Sequence, residues 1–187
     1  AAHTCVMRVV AGTARGLRLA TPRNDGIRPT GDRVREALFN ALHSRGAVEG
    51  ATVLDLFAGT GALGIEALSR GASHAVFVEC SRTHAALVEA NLATCGFSDR
   101  AAVVVADART WLAANPGPWD LALLDPPYAF DGWPALLAGL NAGLVVVESD
   151  REIEPAPGWH VGRVRRYAGT VLTLLSPQDG DPGSSTP

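Results

Sequence analysis

Val53-Leu54-Asp55-Leu56-Phe57-Ala58-Gly59-Thr60-Gly61-Ala62-Leu63-Gly64 reads as a strand, a glycine turn and the start of a helix. The strand is an apolar run broken by one acid, as expected of a parallel strand covered on both faces. Gly59, Gly61 and Gly64 satisfy G-x-G-x-x-G, and Ile65 to Gly71 continues in a helical pattern. Glu79 closes the next apolar run, Ala75 to Val78, 20 residues after Gly59. In a dinucleotide site, an acid at that distance holds the adenosine ribose hydroxyls. The turn therefore predicts an adenosine cofactor, but by itself does not separate NAD from S-adenosylmethionine. Asp55 separates them. It lies four residues before Gly59, at the mouth of the turn, where NAD brings an anionic pyrophosphate. Two like charges at ~4 Å repel by roughly 1–4 kcal/mol at effective dielectrics of 80 to 20. The ammonium and sulfonium of S-adenosylmethionine suit an acid there. A buried strand-end acid satisfied by loop N–H groups is the plainer reading of Asp55, and is compatible with the cofactor one.

The same rhythm runs on down the chain. Ser81 or Arg82 opens a helix through about Cys95, with Ala85, Val88, Leu92 and Cys95 at helical spacing. A strand over Ala101 to Ala106 ends at Asp107. That acid suits two tasks equally: accepting a hydrogen bond from the adenine amino group, or capping a helix over Ala108 to Ala113. Trp119 to Leu124 is the next strand, and Leu144 to Val147 ends at Glu148. Trp159 to Tyr167 and Thr170 to Leu175 have no helical run between them and read as an antiparallel pair. Strands alternating with helices imply an α/β fold with right-handed crossovers. The expected sheet is mostly parallel and seven-stranded, with an antiparallel terminal hairpin.

Asp125-Pro126-Pro127-Tyr128 ends the strand that begins at Trp119. Ligands of open α/β sheets bind at such carboxyl ends. The Asp125 carboxylate and the Pro126 carbonyl are two acceptors without a competing proline N–H. Two adjacent acceptors suit an amino group with two hydrogens, and the Tyr128 ring can stack on the base that carries it. Alone, such a loop is more often just a turn; the glycine motif upstream gives it weight.

The net charge of −3 hides an asymmetry. Residues 1–45 hold eight arginines against three acids, whereas the remainder holds eight against sixteen. A basic segment of this kind positions a nucleic-acid backbone. Val6 to Ala11 and Gly16 to Ala20 are expected to form a hairpin presenting Arg8, Arg15, Arg18 and Arg23; a solvated basic edge strand is the plainer alternative. Asp32 to His43 is expected to be a helix capped by Asp32. Its packing stripe would be Val34, Ala37, Leu38, Ala41 and Leu42, with Arg33, Glu36 and Asn40 on another face.

At 187 residues the chain suits one catalytic domain with its own core. No 18-residue apolar run or signal pattern is present, so a cytoplasmic enzyme without a membrane span is expected. Cys5, Cys80 and Cys95 lack metal spacing and read as free thiols. The histidines, His3, His43, His74, His84 and His160, form no cluster. No metal site and no hydrolase triad are expected. The domain reading is a basic extension over residues 1–45, a catalytic domain over 46–176 and a disordered tail over 177–187.

The chain resembles the class I, Rossmann-like methyltransferases, and more closely the RsmD family, which methylates a guanine N2 amine in bacterial small-subunit (16S) ribosomal RNA. The resemblance rests on Arg28-Pro29-Thr30-Gly31-Asp32-Arg33-Val34-Arg35-Glu36-Ala37-Leu38-Phe39-Asn40, then Asp55 to Gly71, then Asp125 to Tyr128. The first block is the most diagnostic. It implies S-adenosylmethionine as cofactor, held by Asp55, Phe57, Gly59, Gly61, Glu79, Cys80, Asp107, Ala108 and Asp125. It implies Asp125, Pro126 and Tyr128 as the catalytic set around the guanine. The expected RNA contacts are Arg8, Arg15, Arg18, Arg28, Arg33, Pro127 and Tyr128, on 16S rRNA within an assembling or assembled 30S subunit. Gly31 replaces a usual threonine, and Tyr167-Ala168-Gly169-Thr170 replaces a usual Tyr-Gly-Asp-Thr. The alternatives are exocyclic-amine methylation of DNA adenine N6 or a protein glutamine, and a non-catalytic RNA-binding module.

Overall fold

A computed structural model describes residues 7–22 and 31–178. His3, Cys5, Val6, Arg23, Arg28 to Thr30 and the tail beyond Gln178 lie outside the described residues. The elements run α1 (Asp32–His43), β1 (Thr52–Leu56), α2 (Ala62–Ser69), β2 (His74–Glu79), α3 (Arg82–Cys95), β3 (Ala101–Val105), α4 (Ala108–Ala114), β4 (Trp119–Leu124), α5 (Trp133–Ala138), β5 (Ala142–Ser149), β6 (Trp159–Tyr167) and β7 (Thr170–Pro177). They build one seven-stranded sheet in the order β3-β2-β1-β4-β5-β7-β6. The first five strands pair in parallel, and β7 joins β5 and β6 antiparallel. The order reverses between β1 and β4, which opens a crevice at their carboxyl ends.

Successive strand residues feed opposite cores. Val53, Phe77, Leu121, Leu123 and Val146 pack with Leu38, Leu42, Ile65 and Val88 of α1, α2 and α3. Leu54, Leu56, Ala122, Leu124, Val145 and Val147 pack with Leu112 of α4 and Leu136 and Leu137 of α5. The two-sided apolar strands of the sequence thus follow from helices on both faces.

Three expectations need correction. Asp32 is not the cap of α1: Gly31 holds that position without a side-chain bond, and Asp32 instead accepts from Arg35 Nη2 at 2.8 Å. The buried stripe of α1 is Arg35, Leu38, Phe39 and Leu42, while Val34, Ala37 and Ala41 are half-buried. The cause is Glu66 of α2, which is fully buried and draws the Arg35 guanidinium inward to 3.6 Å. The expected hairpin of two strands is a single antiparallel bridge, Arg8 to Arg18, flanked by Val9 N–H to Leu17 O and Leu19 N–H to Met7 O, each 3.0 Å. Its backbone amides are used elsewhere. Val10 and Ala11 donate to Glu66 at 2.8 and 3.0 Å, and Ala14 donates to Ser69 Oγ at 3.0 Å. Met7, Val9, Ala14 and Leu19 are buried in the core shared by α1, α2 and α3. The described residues of the basic segment therefore pack against the body of the domain. Helix α5 was not expected; at six residues, with Pro134 in its first turn, it is too short to show a period.

Glu66 also accepts from Arg70 Nε at 2.7 Å. Removing one partner of a buried charge pair commonly costs ~3–5 kcal/mol, because the other charge is left uncompensated. Glu66→Ala is expected to lose stability on that scale in denaturant unfolding. A cost near that of an ordinary surface substitution would show that Asp32, already 2.8 Å from Arg35, compensates its charge without Glu66.

Candidate active site

The site is assembled where β1, β2, β4 and β5 end. After β1 the chain turns sharply at Phe57, with φ +69°, and at Gly61, with φ +77°. The turn closes through Gly61 N–H to Ala58 O at 2.7 Å. It brings the N-terminus of α2 against the strand: Gly64 N–H donates to Asp55 Oδ2 at 2.9 Å. A side chain at Gly64 would have its Cβ 2.3 Å from the Phe77 ring and 3.0 Å from Asp55 Oδ2, so only glycine allows this approach.

Glu79 ties two loops together. Its Oε2 accepts from Gly59 N–H and its Oε1 from Ser81 N–H, both at 2.8 Å. His84 Nδ1 lies 3.9 Å from the same carboxylate. Asp107 caps α4, accepting from the Thr110 amide at 2.9 Å and hydroxyl at 3.0 Å. These bonds hold its carboxyl below the usual range.

These groups surround a cavity of about 580 Å³, a size usual for a cofactor. Asp55, Phe57, Gly59, Glu79, Cys80, Asp107, Ala108 and Asp125 line it, as do Pro126, Pro127 and Tyr128. Gly61 does not: it lies behind the turn, where a Cβ would meet Val88 and Ile65 at 3.0 and 3.3 Å. Met7, Thr60, Leu63, Ser81 and His84 also line the cavity and were not expected. Met7 is brought there by the bridge near the start of the chain, and its sulfur accepts from Thr60 Oγ1 at 3.4 Å. No local pattern signals such a contact.

Burial is the larger influence on the carboxylates of the site, and their neighbouring charges the smaller. Asp55 is 1% exposed, and burial pushes its carboxyl up to about 7, with the Gly64 N–H pulling it down and the Glu79 charge raising it. Burial also holds the Asp125 carboxyl well above the usual range, reinforced by Glu148 and then by Asp55. Glu148, 3% exposed, lies near the end of β5 beside Asp125, since Leu124 pairs with Val147. The sequence marks Glu148 as a strand end only; its influence on Asp125 was missed. Tyr128 stands at the rim, 38% exposed. Beneath it, Phe130 packs edge-on between Phe57 and Trp133, with ring centroids 5.4 and 4.9 Å apart.

The family model described as conserved hypothetical protein 95 matches residues 7–176. Ribosomal RNA small subunit methyltransferase D of Escherichia coli strain K12 is 43% identical over 90% of this chain and 88% of its own length. The chain belongs to this methyltransferase family. The family's Haemophilus influenzae member is 39% identical over 67% of this chain and 65% of its own. The solved structure of Escherichia coli yhhF superposes with a TM-score of 0.81 at 35% identity, covering 92% of this chain and 98% of that one. Family membership identifies the fold as that of a class I methyltransferase.

Asp55 gives the ligand-free protein a defined pH response. Its carboxyl titrates higher folded than unfolded, so between the two values the folded state holds more protons. That contribution to stability is therefore lost as pH rises from about 4 to about 7. The denaturation midpoint should fall across this window, and Asp55→Asn should flatten the fall. An unchanged slope in the variant would assign the response to another group.

Proposed function

We propose that this protein transfers a methyl group from S-adenosylmethionine to the N2 amine of a guanine in 16S ribosomal RNA. The observation that carries the reading is that Asp125, Pro126, Pro127 and Tyr128 face the same cavity as the crowded acids Asp55 and Glu79. The names of the relatives support the ribosomal RNA substrate. The donor set fits the cofactor. Buried carboxyls held above their usual range gain most from a cation, and S-adenosylmethionine carries an ammonium and a sulfonium. Asp55 would face these charges, Glu79 the ribose, and the acceptor capacity left on Asp107 the adenine amine.

S-adenosylmethionine, when bound, supplies an electrophilic methyl group. The protein's task is to prepare the acceptor. A guanine amine is a poor nucleophile because its lone pair is delocalised into the ring. Asp125 and the Pro126 carbonyl accept its two hydrogens and favour a pyramidal nitrogen. Tyr128 stacks on the base, which must be unpaired or flipped out to reach the site. Once methylated, the nitrogen is cationic and acidic. Asp125, with its raised carboxyl, is well suited to take the proton. Orientation is the main source of acceleration, an effect worth roughly 7–11 kcal/mol in well-aligned cases.

Arg8, Arg15, Arg18 and Arg33 are exposed on the face that carries α1 and the segment before it, and form the RNA surface in this reading. Arg28 lies outside the described residues. The edge strand β6 adds Arg163 and Arg165, which have no ion pair among the described residues, unlike Arg166, held by Glu152 at 2.6 Å. Both flank a shallow groove with Ala37 and Ala41 of α1. The RNA surface therefore extends beyond the basic segment.

Two experiments test the reading. Asp125→Asn replaces an acceptor by a donor facing the amine, so single-turnover transfer to unmodified 30S particles should fall far more than cofactor affinity. Tyr128→Ala should lose stacking worth about 1–3 kcal/mol, which Tyr128→Phe should keep. A near wild-type rate for Asp125→Asn removes the amine-clamp mechanism. Separately, charge reversal at Arg15 and Arg18 should weaken RNA binding and flatten its salt dependence at constant cofactor affinity. An unmoved salt slope would make these residues a solvated edge only.

A further inference from the structure

The loop after β4 has an unusual problem of support. Pro126 and Pro127 have no N–H to tie it down, and its turn is closed by Phe130 N–H to Pro127 O at 2.8 Å. The Phe130 ring anchors it from below against Phe57 and Trp133. From the outside one side chain reaches over it. Arg151 lies two residues past the end of β5, and its guanidinium spans the gap to the loop. Nη1 donates to Tyr128 O at 3.0 Å and Nη2 to Phe130 O at 2.9 Å. Asp150 Oδ1, 2.9 Å from Nη1, orients the fork, and Ser149 Oγ donates to the Arg151 carbonyl to fix its backbone.

We propose that Arg151 is a positioning residue for the methyl acceptor, holding the Tyr128 and Phe130 carbonyls so that Asp125, Pro126 and the Tyr128 ring keep one mutual geometry. This rests on reading Asp125 to Tyr128 as the amine site. Half-exposed, Arg151 adds little to overall stability. Its leverage is on alignment, where a misplacement of about 1 Å can cost on the order of 100-fold in rate. The planar fork is what the geometry requires. Lysine, a single ammonium, cannot offer two parallel donors to two carbonyls. The clamp also links β4 and β5, which carry Asp125 and Glu148, outside their shared ladder.

The test compares Arg151→Ala and Arg151→Lys, each alone and combined with Tyr128→Ala, in single-turnover methylation of 30S particles lacking the modification. Arg151→Ala should slow transfer by about tenfold or more at saturating RNA and cofactor, with unchanged cofactor affinity. Arg151→Lys should recover part of the rate. Amide exchange at Phe130 should quicken in Arg151→Ala. In the Tyr128→Ala background the same change should cost less than in the wild type, because part of what Arg151 positions is already gone. The inference is overturned if the saturated rate of Arg151→Ala is wild-type, or if its loss adds fully to that of Tyr128→Ala. It is also overturned if the only effect is weaker, less salt-dependent RNA binding, which would make Arg151 a phosphate contact. If Asp125→Asn and Tyr128→Ala are themselves without effect, the amine-site reading falls and takes this inference with it. If they bite and Arg151→Ala does not, this inference alone falls.

Discussion

The burial of several carboxylates together at the carboxyl end of the sheet is the constraint to which the rest of the molecule answers. Asp55, Glu79, Asp125 and Glu148 come from the ends of four neighbouring strands; three are buried and Asp125 is half-buried. A parallel sheet forces this convergence, because every strand delivers its last residues to the same edge. The surrounding backbone offsets part of the cost through N–H groups: Gly64 toward Asp55, and Gly59 and Ser81 toward Glu79. Burial first, and the neighbouring charges second, keep the carboxyls of Asp55 and Asp125 raised. A cationic ligand relieves this cost best, and the same burial makes Asp125 a better proton acceptor.

Another buried acid, Glu66, joins the face proposed to meet RNA to the site. It binds the amides of Val10 and Ala11, the guanidinium of Arg70 and, more loosely, that of Arg35. Helix α2 carries Glu66 on one turn, while Ala62 and Leu63 at its start line the cavity. One short helix therefore fixes both the glycine turn and the chain around Val10 to Ala14. Arg8 and Arg18 sit at set positions relative to the cavity. Met7 completes the coupling by reaching the cavity wall itself.

The loop that offers Tyr128 solves a different problem. Prolines stiffen it but remove donors, so its order must come from neighbours. Aromatic packing of Phe130 supplies one anchor and the Arg151 fork the other. Neither partner is adjacent in sequence to Asp125, and Arg151 comes from the far side of β5.

The sequence by itself determined the order and type of most elements, because apolar period and glycine or proline punctuation are local signals. The β6–β7 pair was legible in this way, with Ala168 and Gly169 at positive φ in its turn. So were Asp55, Glu79 and Asp125 to Tyr128, since their positions at strand ends follow from the strands themselves. The tertiary structure decided what distance along the chain conceals. It turned Arg35 inward to Glu66, set Glu148 beside Asp125, brought Met7 to the cavity and aimed Arg151 at two carbonyls. Each of these depends on residues far apart in sequence meeting across helices or strands. A period of 3.6 or 2 reports which way a side chain points from its own element, and carries no information about the partner it will find.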